Sequence, residues 1–145
     1  MNPIRQRPTL LFEMLDQIER QPNFQTKAAT MAYLKCYELS SILQINFRPD
    51  VRLELPPGPI AFQKDNGDPD MSLKRTRNVI SDFKDLDVRN RSLGIAEKIR
   101  RFVGMLESVN EREAEVFLLA KDKKLQTKWK SLSIELIRAA IPGIV

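Results

Sequence analysis

The chain has 145 residues, 42% of them apolar, and a formal net charge of +5. That length suits one domain spanning 1–145, large enough to bury roughly 68–70% of the surface its unfolded chain exposes and so to build an apolar core. With no histidine and a single cysteine, Cys36, the composition excludes imidazole catalysis, cysteine-only zinc sites and an internal disulfide, and a reducing compartment is expected.

Residues 1–8 read as an N-terminal arm carrying Arg5 and Arg7. The apolar run Leu10-Leu11-Phe12 is broken by Glu13 and Asp16. It is too short for a signal peptide or a membrane span, so a soluble protein that stays where it is made is expected. Leu10, Leu11, Met14, Leu15 and Ile18 follow a helical stripe after a Thr9 cap, and Pro22 ends it. A second helix is expected from Thr26 to Ile45. Its apolar residues fall on two faces, Ala29, Ala32, Tyr33, Cys36 and Leu43 on one and Met31, Leu34, Ile42 and Ile45 on the other, as in a buried central helix. Cys36 then reads as packing.

Residues 46–71 differ in kind. Pro56-Pro57-Gly58-Pro59 lies at their centre and excludes helix or central strand. An extended strap is expected, with Val51, Leu53, Leu55, Ile60 and Phe62 alternating onto the helices and a polar turn at Asp65-Asn66-Gly67-Asp68-Pro69. A third helix starts at Ser72 with Leu73, Thr76, Ile80 and Phe83 inward. A fourth presents Ile95, Ile99, Phe102, Val103 and Leu106. The fifth opens on a capping box, Asn110 to Glu113, and buries Ala114, Phe117 and Leu118. The sixth starts near Ser131 or Ser133, carries Leu136, Ile137, Ala140 and Ile141, and stops at Pro142-Gly143. The expected fold is all-α, one compact domain of about six helices with an irregular proline-rich strap between the second and third.

Charge is unevenly placed. Residues 1–60 carry seven Lys and Arg against six Asp and Glu, and residues 61–90 carry six against six. Residues 91–145 carry eleven against seven, and residues 121–130 alone hold five lysines and one aspartate. Such a cluster raises the local potential and binds phosphates by counterion release. Lys121, Lys123, Lys124, Lys128 and Lys130 are therefore candidate backbone contacts, with Trp129 between two of them to stack or anchor. Ser131 and Ser133, at a helix start, are candidate phosphate ligands. The same stretch also reads as a solvated turn whose Trp129 tucks into the core. Lys74, Arg75 and Arg77 form a second basic group, and Arg100-Arg101 a third.

No constellation for catalysis survives inspection. Lys64-Asp65-Asn66-Gly67 has the form of a nucleotidyltransferase lysine motif, yet it also reads as an ordinary turn. Asp65, Asp68 and Asp70 resemble the start of a calcium loop, but Thr76 stands where its twelfth-position glutamate belongs. No enzyme, no metal site and no cofactor are expected.

Glu107-Ser108-Val109, then Ala120-Lys121-Asp122-Lys123-Lys124-Leu125, then Ile141-Pro142-Gly143-Ile144 resemble a family of small proteins of large tailed phages. The middle segment, Phe47-Arg48-Pro49-Asp50 through Leu55-Pro56-Pro57-Gly58, resembles the same family, and the likeness covers residues 10–145. More remotely, the layout is similar to the all-helical N-terminal DNA-binding domain of phage ATP-dependent DNA ligases. That domain also has an early helix pair, a proline-bearing strap, and a late leucine-rich helix (here Phe117-Leu118-Leu119) before a basic-acidic-leucine turn. The resemblance implies a domain that grips duplex backbone across the minor groove without reading sequence. Lys121, Lys123, Lys124 and the helix start at Ser131 and Ser133 would then contact phosphates. The glycine of the ligase turn has no counterpart between Leu125 and Ser131. These readings together point to a non-catalytic phage accessory protein whose partner is DNA, with phage replication, transcription or virion proteins as further partners and no membrane. It would act in the cytoplasm of the infected host or in the virion. The alternative is a virion structural or interaction adaptor without nucleic-acid binding, docking through its proline-rich strap and its aliphatic tail, Ile141 to Val145.

Overall fold

The stripe Leu11, Met14, Leu15 and Ile18 forms the buried face of α1 (Leu11–Glu19). A computed structural model describes residues 10–63 and 73–145, without the side chains of Leu73 and Lys74. The expectations for the arm at 1–8, the Thr9 cap, the Lys64-to-Gly67 turn, the acidic loop at Asp65, Asp68 and Asp70, Ser72 and an inward Leu73 lie outside the described residues.

Two helices stand where one was expected. α2 (Phe24–Tyr33) ends, and α3 (Tyr37–Phe47) starts anew after Cys36. Cys36 has extended backbone and caps α3, its Sγ accepting the Leu39 N–H at 3.5 Å. The two apolar faces explain the break. A straight helix cannot turn Met31 and Leu34 onto the same core as Leu39 and Leu43, because the two sets lie on different sides. Re-aiming the second half buries all four. Ala29, Ala32 and Tyr33, expected inside, are exposed instead.

Residues 48–63 carry no helix, and Val51, Leu53, Leu55, Ile60 and Phe62 pack partly buried against the core. An isolated antiparallel bridge joins Leu53 to Asp87. The Glu54 N–H donates to the Leu86 carbonyl at 2.8 Å, and the Val88 N–H to the Arg52 carbonyl at 2.7 Å.

The remaining helices are α4 (Leu73–Lys84), α5 (Ile95–Glu107), α6 (Glu111–Lys121), α7 (Leu125–Lys128) and α8 (Ile134–Ala140). The described residues thus hold eight helices and no strand. The split before α3 and the short α7 are the additions to the expected count. Phe83 stacks on Phe102 with ring centroids 5.7 Å apart and meets Phe117 edge-on at 5.4 Å, which pins α4, α5 and α6 together. Each such pair contributes about 0.5–1.5 kcal/mol beyond its buried area. Ile95, expected inward on α5, is 52% exposed. The C-terminal tail is committed to the body of the protein. Ile141 is buried, Ile144 and Val145 pack on the core, and the Gln44 side chain donates to the Ile144 carbonyl at 3.2 Å. No helix among the described residues is long and apolar enough to cross a membrane.

Candidate nucleic-acid interface

The lysine-rich stretch begins where α6 ends. The Lys123 N–H donates to the Ala120 carbonyl at 3.0 Å and the Lys124 N–H to the Leu119 carbonyl at 2.8 Å. This double bond pattern is the Schellman ending, whose turning residue adopts a left-handed conformation. Lys123 takes that place with φ at 59°. Glycine is the usual choice there, since a side chain costs about 1–2 kcal/mol in this region.

The Lys123 side chain accounts for the choice. Its ammonium donates to the carbonyls of Ile45 at 2.7 Å and Arg48 at 2.8 Å, capping the C-terminal end of α3. Burial pushes its pKa below the usual value, against the pull of Asp50 and Asp87. Substituting Lys123→Gly is therefore expected to destabilise by about 2 kcal/mol. The lost charge-assisted bonds, at about 1.5–3 kcal/mol each, outweigh the relief of backbone strain. A lower urea midpoint checks this, and a raised midpoint would show that the cap contributes little.

Lys121 also points inward. Its ammonium donates to the carbonyls of Pro56 at 2.8 Å and Gly58 at 2.9 Å and to Asp122 Oδ1 at 2.7 Å. Asp122 Oδ2 accepts the Gly58 N–H at 3.0 Å. The Lys121–Asp122 pair thus clamps the proline-rich segment onto the end of α6.

Lys124, Lys128 and Lys130 remain on the outside. Lys124 stands at the N-cap position of α7 and Lys128 is its last residue, four positions on, which sets them on the same side. Lys128 pairs with Glu115 of α6 and lies 5.3 Å from the centre of the Trp129 ring. An exposed pair of this kind contributes only about 0–1 kcal/mol, so a phosphate can take the place of Glu115.

Trp129 is an anchor and is not free to stack. It is 2% exposed, and its Nε1–H donates to Asp16 Oδ1 at 2.8 Å. Asp16 in turn receives Arg112 at 3.0 Å. Ser131 differs from expectation as well, because its N–H already donates to the Glu19 carboxylate of α1 at 3.0 Å. Ser133 caps α8 by accepting the Leu136 N–H at 3.1 Å. These acceptors occupy the groups at which a phosphate was expected.

The second basic group lies elsewhere. Arg77 donates to the buried Glu38 at 2.7 Å, near the N-terminal end of α3. Lys123 sits at the other end, so α3 separates the two groups by about 15 Å. Arg75 is half-buried, and the Lys74 side chain is outside the described residues. Arg100 and Arg101 both reach Glu97 along α5.

No family model, curated protein or solved structure matches this chain.

The structure adds a group that sequence reasoning passed over. Tyr37, 41% exposed, has Lys84 Nζ at 2.9 Å from its hydroxyl and 4.6 Å from its ring centre, and Arg77 5.7 Å from its ring centre. The Lys84 hydrogen bond is the main influence holding its phenol below the usual value of 10.0. Their separation in sequence hides this cluster, since no local spacing brings residue 37 to residue 84.

Proposed function

We propose that this chain is a non-catalytic phage accessory protein that grips nucleic-acid backbone, chiefly duplex DNA, through Lys124, Lys128 and Lys130. The reading rests on one observation: Lys121 and Lys123 bolt the turn to the body of the protein and leave the other three lysines facing outward from a fixed support. Side chains on a braced turn lose less freedom on meeting a phosphate than side chains on a floppy loop. The proline-rich segment acts as the strap under that turn. The sequence resemblance to a ligase-type DNA-binding domain implies the same assignment. Contacts to phosphates position a protein without carrying sequence information, so binding of this kind is sequence-tolerant.

Affinity for a short random duplex should fall with a log–log salt slope near −2.7, which is about −0.9 for each of three phosphates neutralised. Titration at several salt concentrations measures it, and a flat response would remove the reading.

One observation favours a protein-interaction adaptor instead. Phe24 and Ile134, 51% and 37% exposed, lie on α2 and α8, which pack together. The presence of the chain in purified particles, together with absent duplex binding, would move the assignment there.

A further inference from the structure

A cleft of about 190 Å³ opens between α3, residues 51–53 and the stretch that follows α4. Its floor is aliphatic, made of Ile45, Val51 and Leu53, and its rim carries Lys84 and Arg89. Ser41, a buried residue, adds a hydroxyl to the lining.

Asp87 is the only carboxylate among the described residues of this lining. Its oxygens are already taken. Oδ1 accepts the backbone N–H and the Nε–H of Arg89, each at 2.8 Å. Oδ2 accepts Arg89 Nη2 at 3.1 Å and the Arg52 N–H at 3.2 Å. Lys84 has a different situation, because its described hydrogen-bond partner is the neutral Tyr37 hydroxyl. Arg89 and Asp87 thus neutralise one another, and Lys84 is the cation of the described lining without a carboxylate partner. Lys123 adds positive charge behind the floor, through its place on the Ile45 and Arg48 carbonyls. Arg48 and Asp50 lie nearby but neutralise one another in a 2.9 Å pair.

An ammonium without a carboxylate, at the mouth of an aliphatic cleft, is suited to a ligand with an apolar body and an anionic head. We propose that this cleft binds a small amphipathic anion, its hydrocarbon body on Ile45, Val51 and Leu53 and its carboxylate or phosphate head on Lys84 and Arg89. The volume equals that of about six water molecules, which sets the body at about six carbons. The described lining includes none of Lys124, Lys128 and Lys130, and the proposal does not depend on nucleic-acid binding.

Calorimetric titration of the full chain with hexanoate, hexyl phosphate, hexan-1-ol, hexylammonium and inorganic phosphate tests this. At least one of the two amphipathic anions should bind saturably and about tenfold or more tighter than hexanol, with hexylammonium excluded. Whichever anion is preferred identifies the head group. Lys84→Gln, at an exposed position, should weaken that anion about tenfold and leave hexanol unchanged. Val51→Phe should block both, with a folded control by circular dichroism. If Val51→Phe unfolds the chain, the Lys84→Gln result decides alone. Three results would overturn the proposal: equal binding of hexanol and the anions, inorganic phosphate binding as well as hexyl phosphate, or full anion affinity in folded Lys84→Gln. Absence of saturable binding by either anion would overturn it too.

Discussion

Replacing Glu113 by alanine is expected to cost about 4 kcal/mol of stability, because each buried donor left without a partner costs about 1–3 kcal/mol. Glu113 is 1% exposed and sits on α6, yet its work is done on two other helices. Its carboxylate accepts the Leu11 and Phe12 N–H groups at 2.9 Å each and the Thr76 hydroxyl at 2.8 Å. Those two amides belong to the first turn of α1, where no intrahelical acceptor exists. The substitution strands all three donors and opens a cavity between α1, α4 and α6. Urea denaturation measures the loss, and a cost under about 1 kcal/mol would mean that water replaces the carboxylate.

The same residue gives stability a pH dependence. Burial raises the Glu113 carboxyl above its usual 4.5, and the three donors pull it back without cancelling that effect. The folded chain therefore holds this proton over a window in which the unfolded chain has lost it. Stability from this group is full below the unfolded value and is lost as pH rises through the folded one. Glu113→Gln should remove that slope. Urea midpoints of wild type and variant, compared from below pH 4.5 upward, should converge or cross as wild type loses ground. Parallel curves would contradict the linkage.

Glu54→Ala is expected to be the second costly change, at about 3 kcal/mol, the low end of the range for breaking a buried ion pair. Lys98 on α5 is fully buried, with its ammonium on Glu54 Oε1 at 2.6 Å and on the Asp87 carbonyl at 2.9 Å. Removing Glu54 leaves that charge inside the protein with one neutral acceptor. Glu54 itself is 40% exposed on its side chain, so water reaches the gap and limits the loss. Lys98→Met in the Glu54→Ala background should restore much of the stability, because a flexible apolar side chain fills the same path without a charge. If the double variant is no better than Glu54→Ala, packing rather than charge burial sets the cost.

Much of the helical frame was legible because apolar spacing and punctuation agree over it. The stripe from Leu11 to Ile18, the inward Thr76, Ile80 and Phe83, and a last helix starting near Ser131 or Ser133, in the event at Ser133, all follow from local pattern. The break before α3 was not legible. Its signal is a cysteine acting as a cap, and a double apolar face reads equally well as one buried helix. Asn110 to Glu113 has the sequence of a capping box. The Asn110 side chain accepts the Arg112 N–H instead, and Glu113 turns away to cap α1. Nothing within α6 reports a helix start a hundred residues earlier.

The site follows the same rule. Counting charges located the lysine cluster, but a count cannot tell which ammonium groups point inward. Lys121 and Lys123 are drawn inward, unlike Lys124, by carbonyls at residues 45, 48, 56 and 58, which tertiary structure supplies. Trp129 likewise needed Asp16, far away in sequence, to become an anchor.

The most direct test of the nucleic-acid assignment is fluorescence anisotropy with a short random duplex at about 50 and 200 mM salt. Wild type runs beside a Lys124/Lys128/Lys130→Glu variant whose urea midpoint matches it. Three phosphate contacts call for about a 40-fold loss of wild-type affinity between the two salts, and for binding abolished in the folded variant. Equal binding by the variant, or none by wild type at low salt, would contradict the assignment.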